Sequence, residues 1–143
     1  MNHRPAVILA LLLSLLPLAA RAQILSVHDL ASDPKRYDGQ QVTVRAFANF
    51  GYPHSYMLLQ SRQDDADKPG DDEEIARSCM EVLNPQRLYR TQRERQTRIH
   101  RHTITVRGTF VADKFGGGEG FSLGGCSVNK RAIVAEKLLR VDP

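Results

Sequence analysis

Six arginines fall between positions 87 and 101: Arg87, Arg90, Arg93, Arg95, Arg98 and Arg101, with Glu94 the only acid among them. A guanidinium presents its donors in a fixed fork that matches a carboxylate or a phosphate, so such a run is chemistry for an anionic partner. Asn84-Pro85 ahead of it supplies a cap and a first-turn proline, which predicts a helix of about a dozen residues. On that helix positions 87, 90, 94, 98 and 101 share one face. Arg87, Arg90, Arg98 and Arg101 are therefore the candidate contacts to an anionic envelope component or an acidic protein. The competing reading is a solvated helix whose arginines pair with the acidic stretch 64–74, where seven carboxylates surround Pro69-Gly70. Exposed pairs of that kind contribute little to stability.

Other residue types offer less. His100 and His102 are two apart, so on a strand they point to one side and could hold a metal with His54 or a carboxylate. No third ligand is placed by spacing, and ordinary surface histidines account for the pair, so no metal site is predicted. The acidic stretch lacks the spaced ligands of a calcium loop. There is no Gly-x-Ser-x-Gly, no zinc-binding helix motif and no phosphate loop. The expectation is a non-catalytic protein without a cofactor.

Cys79 and Cys126 are the only cysteines. The chain opens with Met-Asn-His-Arg, an apolar run from Ala6 to Leu16, Pro17 and an Ala20-Arg21-Ala22 end, which together predict a secretory signal peptide over residues 1–22. The run is too short to span a bilayer. In the oxidising compartment this implies, an even pair of cysteines is expected to be bridged, and a bridged cysteine cannot act as a nucleophile. Residue 23 is Gln, so no lipid-anchored cysteine follows the cut, and a periplasmic or secreted protein is expected. Residues 23–143 have the size of one domain. Without Arg4 and Arg21 the basic residues number 18 against 16 acids, a net charge of +2. That is too mild to argue for nucleic acid or membrane, so only the distribution of charge is informative.

The elements that must position these groups start with Tyr37-Asp-Gly-Gln-Gln-Val-Thr-Val-Arg-Ala-Phe47. After the Asp38-Gly39 turn, Val42, Val44 and Ala46 alternate with polar residues, the period of a strand with one buried face. His102-Thr-Ile-Thr-Val-Arg-Gly-Thr-Phe-Val111 repeats the word Thr-Val-Arg followed by a small residue. Two such strands can pair, and the small residue, Ala46 or Gly108, lets a strand bend as a small barrel requires. A short helix capped by Ser26 precedes the first strand. Strands follow at 55–62 and 75–83, and Ala132–Val141 reads as a closing strand, with helix the alternative there. Lys114 to Cys126 spends six glycines in thirteen residues, a loop whose far end the disulfide would pin.

Helix, three strands, helix and two strands is the order of a five-stranded OB barrel with an extra leading helix. The words at 27–47 and at 105–110 resemble small secreted bacterial OB-fold-like proteins. Their pattern is a leading Asp-Leu, Asn/Asp-Pro-x-x-Tyr-Asp-Gly, a Val-x-Val-x-Gly strand and a later Val-x-Gly-x-Phe strand. This chain departs at Ala46, where glycine is usual, and in its arginine-rich segment. The resemblance implies fold and compartment, and carries no catalytic motif. Two alternatives to an anion-binding accessory module stay open. One is a structural envelope protein with no ligand. The other is a single-stranded nucleic-acid-binding domain using a barrel face with Arg45, Arg107, Tyr52 and Tyr56.

Overall fold

A computed structural model of the protein describes residues 23–51, 56–65, 74, 77–117, 126 and 130–143. The predicted signal peptide therefore lies outside the described residues, as do Tyr52, His54, most of the acidic stretch and most of the glycine-rich loop.

Strand β1 is only Ile24–Leu25; helix α1, Val27–Ser32, follows at once, then the short helix α2, Pro34–Tyr37. Ser26 caps α1 through a capping box: its hydroxyl accepts from the Asp29 amide, and the Asp29 carboxylate accepts from the Ser26 amide. Those hydrogen bonds from Ser26 hold the Asp29 carboxyl below the usual carboxylate range. Val27 and Leu30, three apart on α1, are buried.

Five further strands make the barrel: β2 Gln41–Asn49, β3 Met57–Leu59, β4 Cys79–Leu83, β5 Thr103–Val111 and β6 Ala132–Val141. They are joined in the order β2-β3-β4-β6-β5, and β5 pairs back to β2, so the sheet closes. The β4–β6 pair is parallel and the remaining barrel pairs are antiparallel, giving an OB-like barrel. The two Thr-Val-Arg words lie directly against each other: Thr43 opposes Arg107, Val44 opposes Val106 and Arg45 opposes Thr105. Alternation then sends Val42, Val44, Ala46, Ala48, Ile104, Val106 and Phe110 into one core with Met80, Val82 and Ile133. The closing segment 132–141 is a strand despite its helix-forming composition, because Ala132, Ile133 and Ala135 are buried between β4 and β5.

Gly108 is where the barrel bends. The β5–β6 register shifts between Arg107 and Gly108, and a Cβ there would stand 2.4 Å from the Val134 carbonyl oxygen and 2.8 Å from Ile133 Cγ1. Ala46 carries a side chain without difficulty, since no bulge falls at that position of β2.

A second, smaller cluster lies on the outside of the barrel. Phe47, Leu59 and Cys79 point outward from β2, β3 and β4, and Cys126 and Met57 complete the group. The Cys79 and Cys126 sulfurs are at disulfide-bonding distance, with Cα atoms 5.8 Å apart, so the loop after β5 is tied to an outer face. The buried Lys114 ammonium, paired with Glu81 of β4, anchors the near end of the same loop. No helix among the described residues is long and apolar enough to cross a membrane. That and the cysteine pair are compatible with a secreted or periplasmic location.

Two outcomes test this architecture. Gly108→Ala should lower unfolding stability by about 1–3 kcal/mol in urea titration, since neither the strand backbone nor the core can yield. Replacing both cysteines by alanine should cost roughly 4 kcal/mol on the chain-entropy model for a separation of 47 residues, while the far-UV circular dichroism of the barrel persists.

Candidate functional site

The arginine-rich segment does not form the single helix its sequence predicts. Asn84 takes a left-handed conformation (φ 54°) and its side chain makes no cap. Pro85–Arg87 is a single 3-10 turn, which ends as Leu88 enters the core. The chain restarts at Thr91, whose hydroxyl accepts from the Glu94 amide, and makes one α turn, Gln92–Glu94, continuing as a π turn, Arg95–Ile99. Leu88 and Ile99 are both buried along this broken path. The segment is stitched to that mouth by the Arg101 amide to the Ala48 carbonyl (2.8 Å) and by the Phe50 amide to His100 Nδ1 (3.2 Å). Arg101 reverses the chain at φ 63° before β5 begins.

Arg87, Arg90, Arg98 and Arg101 are all exposed. They do not lie on one helical face, which corrects the sequence expectation. Glu94 organises two of them instead: its Oε1 accepts from Arg98 Nη1 at 3.1 Å and its Oε2 from the Arg90 amide at 2.7 Å. Arg87, Arg90, Arg93 and Arg101 form no ion pair among the described residues, whereas Arg98 does. Pairing of this segment with the acidic stretch concerns residues that mostly lie outside the described ones.

The barrel-face candidates separate. Arg45 and Arg107 stand on neighbouring outer positions of β2 and β5, but both are engaged. Arg45 Nε and Nη2 donate to Asp142 Oδ2 at 3.0 and 2.6 Å, and Arg107 Nε lies 3.8 Å from Glu136 Oε2. The Arg45 hydrogen bond, with Arg140 beside it, holds the Asp142 carboxyl below its ordinary range. Tyr56 is not on that face at all. Its ring packs edge-on against Phe50, 5.4 Å between centroids, at the mouth closed by the arginine-rich segment. Tyr52 lies outside the described residues. Among the described residues no three His, Cys, Asp or Glu groups converge; the His102 ring meets the His100 carbonyl oxygen, and the His100 ring caps Phe50.

Two features escaped the sequence reading. The first is a cleft of about 410 Å3 beside the outer edge of β2. It exists because β1 covers β2 at Thr43–Val44 and β3 covers it at Phe47–Asn49, leaving Arg45 and Ala46 without a strand partner on that edge. Arg45, Arg62, Gln60, Thr103 and Asp29 line it. A two-residue strand has no period to read, so nothing in the sequence announced it. The second is Arg95, which is buried (9% exposed) beneath the same segment that exposes its neighbours. Its Nη1 donates to the Tyr56 hydroxyl at 3.3 Å, and its guanidinium carbon lies 5.8 Å from the Tyr56 ring centre. The spacing of Leu88, Arg95 and Ile99, seven and four apart, puts Arg95 on the apolar stripe and was the available signal. The Tyr89 hydroxyl donates to Tyr56 at 3.4 Å, and burial, helped by that bond, pushes the Tyr89 phenol up to about 12.

A scan against models of protein families returns no match for the chain, and a search of curated protein sequences returns none either.

The Tyr89 shift has a definite sign. A phenol whose folded value is raised stays neutral longer in the native state, so its contribution to stability is complete below about 10 and is lost as pH rises toward 12. An ultraviolet titration of tyrosinate should show a late phase that disappears in Tyr89→Phe, and alkaline unfolding should be less steep in that variant.

Proposed function

We propose that the domain is a non-catalytic periplasmic or secreted binding module that engages an anionic envelope component or acidic protein through Arg87, Arg90, Arg98 and Arg101. One observation carries the reading: three of these four guanidiniums are exposed and meet no carboxylate among the described residues. On the outer face of β2, β5 and β6 the arrangement is the opposite, because Arg45, Arg107 and Arg140 each have an acid within 4 Å. Charges left without internal partners are the ones available to an external anion, and a guanidinium fork favours phosphate or carboxylate over chloride. The contrast disfavours the nucleic-acid alternative on the barrel face, since Arg45 and Arg107 would first have to surrender their carboxylates.

The fourth arginine has a distinct part. Arg98 is held by Glu94 in an exposed i, i+4 pair, whose modest worth lets a stronger anion displace it.

The test is binding of the mature, oxidised protein to vesicles carrying phosphorylated glycolipid, with a polyglutamate arm, at low and at physiological salt. Wild type should bind at both. The variant with Arg87, Arg90, Arg98 and Arg101 all changed to Gln should lose at least about tenfold in affinity, with a shallower salt dependence. Equal binding by the two proteins, or no binding by wild type at either salt, would sink the proposal and leave a structural role.

A further inference from the structure

We infer that Arg95, Tyr56 and Tyr89 form a binding site for a single oxyanion, a carboxylate or phosphate oxygen, at the mouth of the barrel. This site is separate from the exposed arginines and stands whether or not they bind a partner.

The argument is a count of donors and acceptors. Arg95 is more than nine-tenths buried, yet no carboxylate pairs with it among the described residues, and its Nε is buried without any hydrogen-bond partner. A buried cation is normally paired, and a buried N–H normally has an acceptor, so both absences call for a cause. Its known neighbours supply almost no acceptors. The Tyr56 oxygen already receives Arg95 Nη1 and the Tyr89 hydroxyl, and among the described residues its own proton meets no acceptor. Two donors, Arg95 Nε–H and Tyr56 O–H, are thus in excess within one small cluster. A group that only accepts, and that carries negative charge, satisfies both and neutralises the guanidinium. Carboxylate and phosphate oxygens have that chemistry; a neutral hydroxyl ligand would add another donor.

The surroundings suit such a site. Phe50 packs edge-on against Tyr56 and excludes water from one side, which strengthens any charge-assisted hydrogen bond made there. Both tyrosines are only half-buried, so the cluster meets solvent on the tyrosine side. Arg95 opens the π turn, in which the His100 amide donates to the Arg95 carbonyl, a rare geometry that is frequent at functional sites.

The protein offers its own probe: it has no tryptophan and four tyrosines, two of which are in this cluster. The mature, oxidised protein is titrated with sodium phosphate and, separately, with sodium acetate at constant ionic strength, following tyrosine emission. Wild type should show a saturable change with at least one of the two salts, and which salt acts identifies the group recognised. Tyr56→Phe keeps the ring against Phe50 and removes the donor, so it should weaken that response about tenfold. Arg95→Gln should abolish it; if that variant fails to fold by circular dichroism, Tyr56→Phe decides. The variant lacking the four exposed arginines should respond like wild type. The site is overturned if wild type gives no saturable change with either salt, if Tyr56→Phe responds like wild type, or if the response is lost with the exposed arginines.

Discussion

Strand β2 bonds to three other strands, and the rest of the molecule follows from how its nine residues are shared. One edge is given to β5 along Gln41–Phe47, which closes the barrel. The other edge is divided: β1 runs parallel to it at Thr43–Val44, and β3 runs antiparallel to it at Phe47–Asn49. A strand committed on both edges has no freedom of register, because a slip of one residue would turn Val42, Val44, Ala46 and Ala48 out of the core and Arg45 into it. Closure also removes the open edges through which a small β protein would aggregate. Bending five strands into so tight a ring needs a local defect, and Gly108 supplies it by letting the backbone of β6 approach where any side chain would collide.

Legibility in the sequence tracked the length and strictness of the pattern. The Thr-Val-Arg words could be read as partners because each belongs to a nine-residue strand whose inner face is buried throughout, and in the structure they lie opposite each other. The cap at Ser26 was readable for a similar reason, being a local device; that Asp29 returns the bond to complete a capping box is seen only in the structure. What could not be read was set by the barrel rather than by local preference. Composition between Asn84 and His102 favours one helix, but the chain takes a left-handed residue at Asn84 and runs as a 3-10 turn, an α turn and a π turn, with Leu88, Arg95 and Ile99 all buried. The disulfide was expected from cysteine count and compartment; that it would hold a loop against an outer cluster, away from the main core, depends on Phe47 and Leu59 facing outward from β2 and β3.

Among the candidate sites, the sequence named the exposed arginines and missed the buried one. Burial within a basic run is hard to see, since each arginine resembles the next until a neighbour at the right spacing is known to be in the core. Ile99 gives that information for Arg95, and Glu94 gives the complementary information for Arg98, which it holds at the surface.

Net charge conceals how unevenly the protein distributes its ions. On the outer face of β2, β5 and β6, two carboxylates do most of the balancing: Asp142 serves Arg45 and Arg140, while Glu136 serves Arg107 and also accepts from Gln41 and Thr109. These pairs span the chain, since Glu136 and Asp142 come from its end and meet residues about a hundred positions earlier. The densest run of positive charge is the segment across the barrel mouth, where one glutamate stands among six arginines. Placing Arg95 under that segment adds a desolvated cation to a region already positive, which the Tyr56 ring and hydroxyl relieve only in part. Like charges gathered around a buried cation raise the local potential, which is the ground on which an anionic partner is proposed for this end of the barrel.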